Sequence, residues 1–319
     1  MKVLITGNLG YVGPVVVKYL KDNYAKYKVY GLDTGFFSHS LTAVDYMPEV
    51  YLENQAFKDV RLASIDDFKG FDSVVHLSAI SNDPMGKEFE KVTKEINQDS
   101  SVAIAKLCSQ AGVKNFVFAS SCSMYGQAEG DKPKSEQDPT NPLTAYAKSK
   151  IGTEETLKSL DLGDMVVTSL RFATACGMSP RLRLDLMLND FVTCALTSGE
   201  ITVLSDGSPW RPLIDVKDMA RAISWAIKRA ESNGGKFLAV NAGSNLNNHQ
   251  VKDFANMVKE VMPKTKVSIN LDAPPDKRSY KVDFSLFNTL APDYQPQVDL
   301  RQSIEELILG IKRINDLNA

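Results

Sequence analysis

Tyr146 and Lys150 stand four residues apart in Tyr146-Ala147-Lys148-Ser149-Lys150. In a helix that spacing puts both side chains on one face. A phenol ionises near about 10, and a close ammonium favours the phenolate. Bringing the phenol down by roughly 3 units requires about 4 kcal/mol of differential stabilisation. The pair is therefore suited to taking a proton from a hydroxyl at neutral pH. An isolated pair of this kind is common. It gains meaning from Ala119-Ser120-Ser121-Cys122-Ser123-Met124-Tyr125-Gly126, which ends an apolar strand. Ligands of open parallel sheets bind at the carboxyl ends of strands. Ser121 can there share a substrate hydroxyl's hydrogen bond with Tyr146.

A second constellation lies near the start of the chain. Thr6-Gly7-Asn8-Leu9-Gly10-Tyr11-Val12-Gly13 joins an apolar strand to an amphipathic helix. Gly7 permits a tight turn, Gly10 lets backbone approach a pyrophosphate, and Gly13 lets helix pack on sheet. The N–H groups of the helix N-terminus then face the anion. Asp33 closes the next strand, 20 residues after Gly13. A carboxylate there accepts the ribose hydroxyls of NAD and repels the 2′-phosphate of NADP. Thr34, Gly35 and Phe36 follow it, with no arginine, so NAD is the expected cofactor. Asp59, before Val60 and Arg61, reads either as an adenine-side residue or as a solvated turn charge.

These residues need a frame. Strand-like runs at Lys2–Thr6, Val29–Asp33, Ser73–Ser78, Phe116–Ser120 and Met165–Arg171 alternate with helical patterns at Val12–Asn23, Phe89–Ala111 and Thr144–Leu160. The strands are nearly continuous apolar runs, as in a parallel sheet covered on both faces. The expected fold class is α/β, a Rossmann-type doubly wound parallel sheet with a smaller C-terminal substrate domain. Later come short strands at Ile201–Leu204 and Lys236–Val240, and helices near Leu184–Leu196, Asp218–Ala230, His249–Val261 and Leu300–Ile314. Residues 1–172 are expected to form the cofactor domain, with the chain returning to it around 212–241. Residues 173–319 are expected to bind substrate.

Composition narrows the partners. A net charge of −2 and a pI near 6.0 give no basic field for nucleic acid or membrane surfaces. An anionic ligand would need local cations. The first strand starts at Lys2, which leaves no room for a signal peptide, and no apolar run reaches membrane-spanning length. Cys108, Cys122, Cys176 and Cys194 form no Cys-x-x-Cys pair and read as reduced thiols of a cytoplasmic protein. His39, His76 and His249 lack metal-ligand spacing, so no metal is expected.

Taken together, TGNLGYVG (6–13), Asp33, HLSA (76–79), Asn97, SSCSMYG (120–126), YAKSK (146–150), LRFATACG (170–177) and DGSPWRPLIDVKD (206–218) resemble the extended short-chain dehydrogenase/reductases of the NAD-dependent epimerase/dehydratase family. The resemblance implies a nucleotide-sugar enzyme with Ser121, Tyr146 and Lys150 as its catalytic residues. It implies cofactor contacts from Gly7, Leu9, Gly10, Tyr11, Val12, Gly13, Asp33, Asp59, Val60, Leu77, Ser78, Ala79, Asn97 and Lys150. Substrate contacts would come from Ser121, Ser123, Tyr146, Thr174, Arg181, Asn189, Arg211 and Arg278. A guanidinium fork suits a diphosphate, although surface arginines also occur without a ligand.

The segments 179–186 and 275–278 further resemble a bacterial subgroup that includes reductases of GDP-linked keto-heptoses. Relatives commonly dimerise through helices matching 89–111 and 144–160, so a homodimer is expected. Where the family often has Asn and an aromatic, this chain has Thr174 and Cys176. Related 3,5-epimerase/reductases use a cysteine base two residues before the tyrosine of the Tyr-Gly pair. Cys122 is three before Tyr125, which leaves its role open. Dehydrating relatives place Glu, often with Asp beside it, where this chain has Ser123 and Cys122. Glu129 is the next carboxylate, in a loop. The reading is an epimerase or C4 keto-reductase, with a dehydratase or a non-catalytic NAD-sensing regulator as alternatives.

Overall fold

Neighbouring residues of the central strands are buried on opposite faces of one sheet. In the computed structural model, Val3, Ile5, Val29, Val75 and Val117 join one apolar cluster, and Leu4, Leu32, Val74, Phe116 and Phe118 join another. Strands covered on both faces must be apolar throughout. The structure describes residues 1–42, 44–81, 83–127, 132–274 and 276–317. Glu129 and Pro275 lie outside the described residues.

The strands are β1 (Lys2–Thr6), β2 (Lys28–Asp33), β3 (Asn54–Phe57), β4 (Ser73–His76), β5 (Asn115–Ser121), β6 (Val166–Phe172), β7 (Thr174–Cys176), β8 (Glu200–Val203), β9 (Trp210–Asp215), β10 (Phe237–Ala242), β11 (Asn248–Gln250) and β12 (Lys266–Ile269). The helices are α1 (Gly13–Asn23), α2 (Asp83–Glu88), α3 (Glu90–Lys94), α4 (Ser100–Gln110), α5 (Ala145–Ser159), α6 (Met187–Thr197), α7 (Val216–Ala226), α8 (Val251–Val261), α9 (Ser285–Leu290) and α10 (Leu300–Leu317).

Seven strands form a parallel sheet in the order β10-β6-β5-β4-β1-β2-β3. The order reverses between β4 and β1. A crevice opens at their carboxyl ends, where such sheets take ligands. Val16, Val17 and Leu20 of α1, with Ala220, Ile223 and Trp225 of α7, cover one face. Ile104, Ala105 and Cys108 of α4, with Leu157 of α5, cover the other. The edge strand β10 pairs with β6 from Phe237↔Val167 to Ala242↔Phe172.

A separate core gathers Leu188 and Val192 of α6, Phe254 and Val258 of α8, and Ile304 and Leu307 of α10. Two small sheets attend it, β11-β9-β7 and β12-β8. β9 carries Pro212 in its interior, which demotes a strand pattern in sequence. It is tolerated because β7 pairs with β9 only from Leu213 onward, so Pro212 faces a partner strand, β11, on one side alone.

The helix expected over 89–111 is three pieces. A π-helical turn at Glu95–Asp99 separates α3 from α4. Such bulges commonly occur at functional sites, and here the turn carries the fully buried Asn97. All four cysteines are free, and Cys108, Cys122 and Cys176 are buried. No described helix is long and apolar enough to cross a membrane.

Candidate active site

The turn after β1 is shaped for close approach. Gly7 has φ +75°, and a Cβ there would lie 2.6 Å from the Ser78 backbone nitrogen. A Cβ on Gly13 would lie 2.3 Å from the Asn8 carbonyl oxygen. Both positions therefore require glycine within the protein itself. At Gly10 a Cβ would meet only the Gly7 oxygen, at 3.4 Å. Its bareness leaves room for a ligand. Val12 precedes α1 and offers no side-chain cap, so no side chain answers the first N–H groups of the helix. A pyrophosphate fits that vacant role.

At the end of β2, the Asp33 carboxylate accepts from Leu9 N at 3.1 Å and from Gly35 N at 2.8 Å. These bonds fix it beside the glycine turn, where ribose hydroxyls would arrive. Asp33→Ala should narrow the preference for NAD over NADP, because it removes both the ribose contacts and the repulsion of a 2′-phosphate. Calorimetry with both cofactors measures this, and equal or tighter NADPH binding by the unmutated protein would overturn the assignment.

Asp59 caps the 3₁₀ turn Val60–Leu62 and is gripped by Arg61, whose Nη2 lies 2.6 Å from its Oδ2. Val60 points into the core. Leu77, Ser78 and Ala79 form the loop after β4. The Asn97 amide pins that loop by accepting from Ile80 N at 2.7 Å and donating to Ile80 O at 2.8 Å. Asn97 therefore shapes the loop through its backbone. Tyr11 reaches across the crevice. Its hydroxyl donates to Gly177 O at 2.6 Å, and its carbonyl accepts from Ser179 Oγ at 2.6 Å.

Thr144 caps α5 by accepting from Ala147 N at 3.1 Å, which sets Tyr146 in the first turn. Lys150 follows one turn on and is 2% exposed. Its Nζ donates to Ala119 O at 2.7 Å and lies 5.4 Å from the Tyr146 ring centroid. Burial lowers the Lys150 pKa to about 7, against the pull of Glu154. His76 sits behind it, between Thr6 and Ser101. Burial, then the Lys150 charge, pushes its pKa down to about 3, so it is neutral at physiological pH.

Ser121 ends β5. Its hydroxyl accepts from Ser123 N at 3.1 Å and donates to Ser123 Oγ at 2.9 Å. Cys122 points the other way, into the core, and donates to Arg171 O at 3.0 Å. Burial holds its thiol well above the usual range, which opposes a role as base.

On the far side, Arg211 and Arg278 converge on one carboxylate. Arg211 Nη2 is 3.1 Å and Arg278 Nη2 is 2.7 Å from Asp276 Oδ2. Two guanidinium groups around one acid form a cradle that a diphosphate could enter. Thr174 lies close to the buried Tyr280 phenol, and Arg211 lies over that ring at 5.7 Å.

Two substrate-side residues are occupied elsewhere. Arg181 is 2% exposed, donates to Phe37 O and Ser38 O at 3.2 Å each, and pairs with Glu49 at 2.8 Å. It ties down the β2–β3 connection. Asn189 accepts from Gly177 N at 3.0 Å and donates to Arg183 O at 3.0 Å, so its amide holds a loop.

The model of the NAD-dependent epimerase/dehydratase family matches residues 3–243. The chain belongs to this family. Its cofactor is NAD, which the glycine turn and Asp33 fit. CapI of Staphylococcus aureus is 31% identical over 73% of this chain and 71% of that protein. A UDP-glucose 4-epimerase of Corynebacterium glutamicum is 27% identical over 82% and 80%, respectively. Solved MoeE5, in complex with UDP-glucuronic acid and NAD, shares the fold with a TM-score of 0.83 at 22% identity, covering 98% of this chain and 99% of that one.

Two groups of residues in this family member escape a reading of the sequence. One is a buried network behind Lys150. Glu154 accepts from Arg171 Nη2 at 2.8 Å and Ser169 Oγ at 2.7 Å; Arg171 Nη1 donates to the Tyr125 hydroxyl at 3.1 Å; that hydroxyl donates to Asn241 Oδ1 at 2.8 Å. The available signal was Glu154 repeating the four-residue step beyond Lys150. The other is Arg183, which reaches Ser81 across the crevice from the loop between β7 and α6.

Proposed function

We propose that this chain is an NAD-dependent epimerase or C4 keto-reductase acting on a sugar carried by a nucleotide diphosphate, with Tyr146 as its acid/base. The observation that carries the reading is the Tyr146–Lys150 pair, with Lys150 anchored to Ala119 O two residues before Ser121 ends β5, in a chain that also has a formed dinucleotide turn. Bound NAD supplies a hydride acceptor and, once reduced, a hydride donor. Ser121 hydrogen-bonds the reacting hydroxyl. Tyr146 takes that hydroxyl's proton as the carbon is oxidised and gives it back on reduction. Lys150 favours the phenolate by its charge. In an epimerase both half-reactions occur in one turnover. In a reductase only the second occurs, and reduced cofactor is regenerated elsewhere.

The Corynebacterium glutamicum relative is a UDP-glucose 4-epimerase and MoeE5 binds UDP-glucuronic acid, which supports a nucleotide-sugar substrate here. Arg211 and Arg278 are assigned to the diphosphate, which would displace the Asp276 carboxylate. A charge-assisted hydrogen bond contributes about 1.5–3 kcal/mol. Arg211→Ala and Arg278→Ala should each raise the substrate KM about ten- to a hundred-fold, with NAD affinity unchanged. An unchanged KM in both would return them to a structural role around Asp276. A cytoplasmic homodimer is the assembly we assign by analogy with relatives.

Dehydration is not part of the reading. Elimination across C5–C6 needs a base and an acid, and here Cys122 is buried and Ser123 is bonded to Ser121. A mere NAD sensor would not need the Tyr–Lys pair. The deciding experiment identifies co-purifying nucleotide sugars by mass spectrometry and follows NDP-hexose and NDP-heptose turnover by NMR. We expect a C4 epimer or a reduced 4-keto sugar. A 6-deoxy-4-keto product from a 6-hydroxy substrate would overturn the proposal.

A further inference from the structure

We propose that residues 177–185, between β7 and α6, are a strap closed across the dinucleotide crevice, which must lift for NAD to enter or leave. The strap keeps the cofactor in place from one turnover to the next, and so selects the epimerase over the reductase. This rests on the reading of the crevice as the NAD site of a nucleotide-sugar enzyme.

The ties span the crevice. On the β1 side, the Tyr11 hydroxyl donates to Gly177 O and Ser179 Oγ donates to Tyr11 O, both at 2.6 Å. Beyond β2, Thr42 N donates to Pro180 O at 2.8 Å. Its hydroxyl donates to Ser179 O at 2.9 Å and accepts from Leu182 N at 3.2 Å. The buried Arg181 donates to Phe37 O and Ser38 O and pairs with Glu49. Beyond β4, Arg183 Nη1 donates to Ser81 Oγ at 2.7 Å. The loops so tied follow β1, β2 and β4, whose carboxyl ends border the crevice. A segment bonded to all three crosses its mouth. Asn189 fixes both ends of the crossing, accepting from Gly177 N and donating to Arg183 O at 3.0 Å each. At the root, Gly177 has φ +102°, and a Cβ there would lie 2.3 Å from Asp215 Oδ2. The strap therefore starts wedged against the end of β9.

Every tie joins protein to protein, so those in the cofactor's path must break for entry as well as for exit. Loop openings of this kind limit the rates of many enzymes. A reductase spends one hydride per turnover and must exchange its cofactor each time. An epimerase needs no exchange. The hydride that leaves the sugar carbon for NAD returns to the same carbon on its other face. The proton taken by Tyr146 returns to the sugar oxygen, and NAD ends the turnover as it began. A strap tied at three loops suits that closed cycle.

The test measures cofactor exchange without a sugar. Radiolabelled NAD bound to the full-length enzyme should be displaced by unlabelled NAD more slowly than about once per second, the low end of ordinary turnover. Stopped-flow fluorescence of NADH gives the separate rates of binding and release. Arg181→Met should speed both about ten- to a hundred-fold, the scale of a lost charge-assisted hydrogen bond. Thr42→Val should speed both by a smaller factor, and Kd should stay nearly constant in each variant. A side chain that only touches the cofactor would instead speed release alone and weaken Kd, which would overturn the strap. So would exchange in the unmutated enzyme faster than about once per second, or unaltered rates in the variants. If Arg181→Met fails to fold, Thr42→Val and Arg183→Met decide. Failure of the strap would leave Tyr146 as the acid/base. Near-normal turnover of Tyr146→Phe would sink that reading and leave the exchange rates standing.

Discussion

Tyr146→Phe should lower turnover by at least about 100-fold, the usual scale for loss of a general acid/base, with NAD binding retained. The substitution removes one oxygen and keeps the ring. Lys150 stays anchored to Ala119 O and over the Phe118 ring at 4.6 Å. The glycine turn and Asp33 lie on other elements. The loss should therefore fall on the chemical step, in single-turnover rates, while calorimetric NAD affinity stays near that of the unmutated enzyme. Near-normal turnover would remove Tyr146 from the mechanism.

Glu154→Ala should destabilise the fold by about 3–5 kcal/mol, the range for breaking a buried ion pair from one side. Arg171 is 12% and Glu154 6% exposed by side chain, so solvent screens the pair little. Removing the carboxylate leaves the buried guanidinium with the Tyr125 hydroxyl and the Glu136 carbonyl, and takes away the Ser169 hydroxyl's acceptor. Replacing both partners with apolar residues of similar volume, Glu154→Leu with Arg171→Met, should recover much of the loss. Urea denaturation of the single and double variants measures this. A single variant with an unshifted midpoint would show the pair to be energetically idle. Glu154 also supports the Lys150 charge, so Glu154→Ala should slow turnover beyond its effect on stability.

The legible parts of this site are those in which chemistry and spacing coincide along the chain. Gly7, Gly10 and Gly13 fall within one turn, and their backbone demands are local. Tyr146 and Lys150 are one helical turn apart, and Ser121 ends a strand that is apolar enough to recognise. The parallel sheet was legible for the same reason, because doubly covered strands lack polar residues. What escaped depends on distant contacts. Glu154 and Arg171 meet across a helix and a strand, and nothing in either segment marks the partner. Arg183 lies in a segment whose neighbours Arg181 and Asn189 match substrate-contact positions of the family, yet both of these are bonded to loop backbone. Nor does periodicity register the extra residue that turns Asn97 inward within 89–111. Pro212 hid β9, because proline argues against a strand unless its partners are known.

The pairing of β10 with β6 has a consequence for how the chain is made. As synthesis passes Phe172, β6 presents the run Val166-Val167-Thr168-Ser169-Leu170 as an open edge, β-rich and uncharged. Such an edge is a template for pairing with other chains. The face later covered by α7 is bare as well. Both are closed only when Val216–Ala226 and then Phe237–Ala242 have left the ribosome. The nascent polypeptide therefore passes through a sticky interval in which its sheet is nearly complete but unsealed. Slow translation or heat shock during that interval favours aggregation, and a holding chaperone that shields β6 until release would raise the yield of native enzyme.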